Sequence, residues 1–113
     1  MASPPVNETL VIRQGMTFIR RWRVTDPIDG TPRDLTEWSA RGQIRTYVSD
    51  VDPLFEFDLE CGADGFVTVT VTPEQSTPWV WRDGVYDIEL VDPTGRVARI
   101  AQGAVRVSPE VTR

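Results

Sequence analysis

Apolar and polar residues alternate along most of this chain with a period of two, the repeat of strands that lie with one face on a core and the other in water. No apolar stripe recurs at the 3.6-residue spacing of an amphipathic helix. The alternation predicts seven strands, over residues 9–13, 17–25, 40–48, 54–60, 66–72, 85–91 and 96–107. The fourth is the plainest: Phe55, Phe57 and Leu59 interleave with Glu56, Asp58 and Glu60, so one face is core and the other anionic. The fifth alternates Val67, Val69 and Val71 with Thr68 and Thr70, both types suited to a pleated sheet. In the second, Phe18, Trp22 and Val24 share a face that Arg20 interrupts. Arg20 is therefore expected at the rim of the core or against a buried carboxylate.

Turn residues fall between these segments. Gln14-Gly15 joins strands one and two, and Asp64-Gly65 marks a hairpin between four and five. After strand five, Thr72, Pro73 and Gln75 stand at the cap, first and third positions of a helix, enough for one turn. A second short turn is expected over residues 34–38, where Leu35 and Trp38 are more simply core anchors. Gly103, inside the last strand, suggests a bulge or bend. Seven strands without long helices give an all-β fold, a two-layer antiparallel β-sandwich with one short helical turn between strands five and six.

The run Asp83-Gly84-Val85-Tyr86-Asp87-Ile88 resembles the corner of immunoglobulin-like domains, where a tyrosine hydroxyl bonds back to the main chain. Ile88 stands where the second disulfide cysteine would be and Trp22 or its neighbours fill the space of the first, so the sandwich would be immunoglobulin-like without a disulfide. The expected organisation is an N-terminal arm over residues 1–8, one domain over 9–108 and a C-terminal tail over 109–113.

Composition narrows the chemistry. The 113 residues carry 12 Lys plus Arg against 17 Asp plus Glu, a net charge of −5, with no histidine. Every basic residue is arginine. The Ser-His-Asp and Cys-His systems, imidazole metal ligands, lysine Schiff bases and the phosphate-loop lysine are all excluded. Cys61 stands alone beside Glu60 and Gly62 with no cation to activate it, which reads as an inert thiol. The acidity disfavours nucleic acid as a partner. Neither a signal peptide nor a membrane-spanning run is visible, so no membrane partner is expected and the chain reads as soluble and made in the cytoplasm. Residues 1–50 carry seven Arg and six acids, a net of +1, and residues 51–113 five Arg and eleven acids, a net of −6. So polar a molecule is suited to stacking head to tail with its own copies, and the plainer reading is a solvated surface.

Strand parity gathers Asp26, Asp29, Asp34, Asp64 and Asp92 at one end. Aspartate there reads first as turn chemistry, since its side chain bonds nearby amides, and second as a calcium pole. Paired carboxylates able to do acid and base work have no long loops around them to form a cleft, so no catalytic residue, cofactor, metal or small-molecule substrate is expected. The candidate interface residues are Arg20, Arg21, Arg23, Trp79, Trp81 and Arg82. The arginines around Trp22 suit phosphate or single-stranded nucleic acid, but an ion-pair ladder against a neighbouring strand suits the acidic chain better. Trp79 and Trp81 either close the end of the core or leave one ring to anchor a partner.

Stretches across most of the chain resemble the small tailed-phage virion proteins of the LtfC-like β-sandwich group. They are Leu10-Val11-Ile12-Arg13-Gln14-Gly15, the aromatic and arginine strand from Phe18 to Trp22, Asp34-Leu35-Thr36-Glu37-Trp38-Ser39-Ala40-Arg41, Gly84-Val85-Tyr86-Asp87-Ile88-Glu89 and Ile100-Ala101-Gln102-Gly103-Ala104-Val105-Arg106-Val107-Ser108-Pro109. The resemblance implies a non-enzymatic bacteriophage structural protein, a minor tail or head-to-tail component of the virion, made in the host cytoplasm. It would dock on other virion structural proteins and on copies of itself. The alternative is an accessory binding module, displayed on a virion or cell surface, that contacts a host glycan or protein.

Overall fold

The computed structural model describes residues 5–112. Its strands are β1 (Val6–Asn7), β2 (Leu10–Arg13), β3 (Phe18–Arg23), β4 (Ser39–Arg45), β5 (Phe55–Glu56), β6 (Asp58–Cys61), β7 (Phe66–Val71), β8 (Asp83–Val91) and β9 (Val97–Ser108). The only helix among the described residues is α1 (Pro73–Ser76). They form an immunoglobulin-like sandwich of two sheets. The wide sheet runs β1-β9-β8-β4-β5, with β2 following β1 along the same edge of β9, and the narrow sheet runs β3-β7-β6.

Inward side chains from both sheets make one core. Ile12, Ile44, Val67, Val69, Val71, Ile88, Ala101 and Val105 are fully buried in it, with Trp22 and Leu35. Trp22 and Ile88, expected to fill the space of an immunoglobulin disulfide, are both buried in that core. Thr72 caps α1 as its spacing predicts: its Oγ1 accepts from the Gln75 N–H at 3.2 Å, and the Gln75 side chain accepts from the Thr72 N–H at 2.8 Å. Residues 36 and 37 form a turn only, closed by the Trp38 N–H on the Leu35 carbonyl at 2.9 Å.

The structure differs from the strand pattern in four places, each with a local cause. The first strand pairs β9 in parallel, Leu10 with Val105 through Arg13 with Ser108. Gly15, at φ +82°, turns the chain away into the opposite sheet, so the open edge left to β2 is that of β9. The single strand expected over 54–60 is two. It leaves β4 after Glu56 and joins β7 from Asp58, switching sheets at Phe57, whose N–H still bonds the Gly42 carbonyl at 2.9 Å. Strand β4 stops at Arg45, because that side chain turns to the Asp50 and Val51 carbonyls and folds residues 46–53 into a loop. The bulge in β9 lies at Ile100, not Gly103: Ile88 pairs Ala101 and Glu89 pairs Arg99.

Gly103 answers a different need. A Cβ there would lie 2.2 Å from the Glu8 carbonyl oxygen, so glycine is what lets the Glu8 backbone lie close against β9 between β1 and β2. Pairing with β9 begins at Val6, within the stretch read as an arm. Residues 1–4 of that stretch and Arg113 of the tail lie outside the described residues.

Candidate interface surfaces

Arg20 lies on the inner face of β3, half-buried, at the open side of the sandwich. Its guanidinium grips Glu8 with two bonds, Nε to Oε2 at 2.7 Å and Nη2 to Oε1 at 2.6 Å. It also donates to the Arg21 carbonyl and lies 4.9 Å from the Trp22 ring centroid. The Glu8 carbonyl accepts the Tyr86 hydroxyl at 2.8 Å. Glu8 therefore joins the wide sheet to the narrow one. Arg20 holds its carboxyl below the ordinary glutamate range, against the opposing pull of burial. Among the described residues the buried Trp22 indole N–H has no hydrogen-bond partner, and its small share in lowering Glu8 is that of a dipole near the carboxylate. Tyr86 is pushed up to about 12, by burial first and then by the Glu8 charge.

The Tyr86 hydroxyl thus bonds back to the main chain, as in an immunoglobulin-like corner, but to a carbonyl of the N-terminal segment and not to its own corner. Gln14 holds a different corner, at residues 76–79. It is a buried amide whose Nε2 donates to the carbonyls of Ser76, Thr77 and Trp79 at 3.1, 2.8 and 2.8 Å. Its Oε1 accepts from the Glu110 N–H at 3.3 Å, and Ser76 Oγ accepts from the Gly15 N–H at 2.9 Å. The Gln14 bonds reach the Thr77 and Trp79 carbonyls just beyond α1 and add to the Trp79 N–H that the Ser76 carbonyl already accepts at 3.0 Å. Nothing in the sequence marked Gln14 beyond its place in a turn, and nothing marked Glu8.

Arg21 and Arg23 point outward from β3 and are exposed. Arg21 reaches Asp64 at 3.3 Å, and both guanidiniums lie over the Phe66 ring, 4.0 and 5.0 Å from its centroid. A ladder of charged pairs does exist, but on the outer face of the wide sheet. There Arg41 meets Glu89 at 2.7 Å and Arg99 meets Asp87 at 3.5 Å. Gln102 donates to Asn7 on the same face, at 3.0 Å.

Trp79 and Trp81 turn to the same side, their centroids 4.7 Å apart, and Trp79 meets Phe55 edge-on at 5.0 Å. Trp79 is buried, Trp81 half-buried, and Val80 between them faces solvent. Arg82 is exposed and bonds only the Trp81 carbonyl among the described residues. Of the six candidate interface residues, Arg20 and Trp79 are thus committed to the fold, while Arg21, Arg23, Arg82 and one side of Trp81 are presented outward.

The five aspartates at the pole hold turns. Asp26, Asp29, Asp34, Asp64 and Asp92 each accept from the N–H two residues on, at 2.8 to 3.2 Å. Thr31, Thr36 and Thr94 add hydroxyl bonds, which hold Asp29, Asp34 and Asp92 below the ordinary aspartate range. The described residues contain no group of three or more potential metal ligands. Burial pushes the Cys61 thiol up, away from the reactive thiolate.

Comparison with known proteins bears on the fold. No family model matches the chain, and no curated protein matches it in sequence. Among solved structures it is similar to the titin M3 domain, at a TM-score of 0.52 and 10% identity, over 91% of this chain and 92% of that one. The ZIG-8–RIG-5 IG1–IG1 heterodimer matches at 0.49 and 10%, over 95% and 87%. The N-terminal domain of phage TP901-1 ORF48 matches at 0.49 and 10%, over 94% and 91%. The titin likeness is one of fold, and it places the chain among immunoglobulin-like sandwiches.

Proposed function

We propose that the chain is a non-enzymatic structural part of a bacteriophage virion, a minor tail or head-to-tail component that docks on other virion subunits. One observation carries the reading. The groups that could do chemistry are spent on holding the two sheets together, and those left free lie along sheet edges and at the Trp81–Arg82 corner. Rigid sandwiches with open edges suit assembly, where edges and corners take up neighbours. The stretches that resemble LtfC-like virion proteins imply the same role, and the sandwich they imply is the fold the chain has. The candidate docking residues are Arg21, Arg23, Trp81 and Arg82, with Arg20 and Trp79 as their supports. The chain would be made in the host cytoplasm and function in the particle.

The test is mass spectrometry of purified particles from cells carrying the gene, followed by infection with a phage lacking it. The chain should be found at a fixed copy number per particle, and its loss should stop tail or head-to-tail assembly. Intact, infectious particles without it would refute the reading.

A further inference from the structure

The narrow sheet has two open edges of opposite charge. At one edge, β3 turns Arg21 and Arg23 outward; at the other, β6 turns Asp58 and Glu60 outward. Across β7 the charged rows are offset: Arg21 and Glu60 share the Thr68 row, Asp58 shares the Thr70 row with Ile19, and Arg23 lies in the Phe66 row, so a shift of two residues between copies sets Arg21 against Asp58 and Arg23 against Glu60. Arg23 and Glu60 have no ion-pair partner among the described residues. We propose that this chain associates head to tail with further copies of itself, the β3 edge of one against the β6 edge of the next. This deepens the assembly reading by naming the chain's own copies as a partner.

Charge selects this arrangement. Two-fold pairing of identical edges would set Arg21 and Arg23 against themselves, or Asp58 and Glu60 against themselves, so charge favours a heterologous contact.

Sheet widths then set the curvature. The wide sheet is five strands across and the narrow one three. Two extra strands at about 4.8 Å each, over a sheet separation of about 10 Å, make a wedge of roughly 55° per copy. With the two-residue shift between rows, successive copies wind as an open helical series and do not close into a ring.

Sedimentation velocity and native mass spectrometry of the purified chain over a concentration and salt series provide the test. The expected result is a series of oligomers that grows with concentration and loosens as salt screens the edges. Arg21→Glu with Arg23→Glu, and separately Asp58→Arg with Glu60→Arg, should each weaken association about 100-fold while melting as a folded domain. Mixing the two variants should restore it, because the reversed edges are complementary again. A wild-type chain that stays monomeric, a species that stops at a dimer, or a folded variant that keeps the wild-type oligomer would each overturn the proposal. Should the β3 variant fail to fold, the β6 variant decides alone. A monomeric chain still found in purified particles would end the self-association and leave the assembly reading standing.

Discussion

Removing the Gln14 amide should cost the fold more than removing any surface charge. Its two amide hydrogens serve three carbonyls, of which those of Ser76 and Trp79 are buried with it. In Gln14→Met the volume is kept and the donors are lost. Two net hydrogen bonds at about 1 kcal/mol each, plus part of the desolvation cost of carbonyls left unpaired, come to about 3 kcal/mol. That is a large share of the about 5–15 kcal/mol that holds a domain together. At about 4 °C per kcal/mol for a domain near this size, the melting temperature should fall by about 12 °C in calorimetry. Gln14→Glu should be worse at neutral pH, since a buried carboxylate would face the same carbonyls, and should recover as acid protonates it and restores one donor. A Gln14→Met melting point within about 2 °C of wild type would refute the account of α1 and the residue 76–79 corner as held by this side chain.

Three further outcomes follow from the Glu8 junction. Gly103→Ala drives a methyl into the Glu8 carbonyl, at a cost of about 2–3 kcal/mol; hydrogen exchange should show β1 released first, and unchanged protection at Val6–Glu8 would contradict the close approach. Because Arg20 lowers the Glu8 pKa, this pair stabilises the fold above the ordinary glutamate value of 4.5 and loses that contribution as pH falls below it; acid titrations of stability should be shallower in Glu8→Gln, and an identical slope would sink the claim. Tyr86 is raised to about 12 from 10.0, so its contribution is complete below pH 10 and is lost as pH rises from there towards 12; Tyr86→Phe should lose about 1 kcal/mol at neutral pH and flatten the alkaline limb, as denaturant unfolding would measure.

Period-two patterning made the sandwich legible because each half-buried strand records its own face, as Phe55, Phe57 and Leu59 do even where their strand changes sheets. Capping was legible for the same reason: Thr72, Pro73 and Gln75 act within one turn of each other. Partners distant in sequence left no such record. Arg20 was marked as a charge needing a carboxylate, yet nothing local named Glu8, which meets it across the opening between sheets. Gly103 stands out as special, but its cause is a carbonyl 95 residues away in the chain, since the Glu8 backbone presses against β9 there. The aspartate pole was legible in full once the Asp-x-Thr spacing of Asp29, Asp34 and Asp92 is noticed, because each turn closes on itself. Parallel pairing of β2 with β9 was invisible, as alternation carries no direction.

That one pairing accounts for much of the rest. With the first strand laid along β9, the wide sheet gains an edge and the narrow sheet lacks one, so β3 has a neighbour on one side only. An uncovered strand invites unselective pairing. Arg20 places its guanidinium over one main-chain acceptor of that edge, the Arg21 carbonyl, while anchoring to Glu8, and Arg21 and Arg23 choose a partner by charge. Arginine suits both tasks, since its planar fork grips a carboxylate in two places and its charge does not titrate below about pH 12. Lysine at position 20 would hold Glu8 by a single contact and leave the Arg21 carbonyl uncovered. An Arg20→Lys chain should therefore keep its fold and its charge yet lose selectivity, gathering into irregular aggregates where the parent forms a regular series; equal light scattering from the two would show that the cover on the β3 edge is not what restrains it.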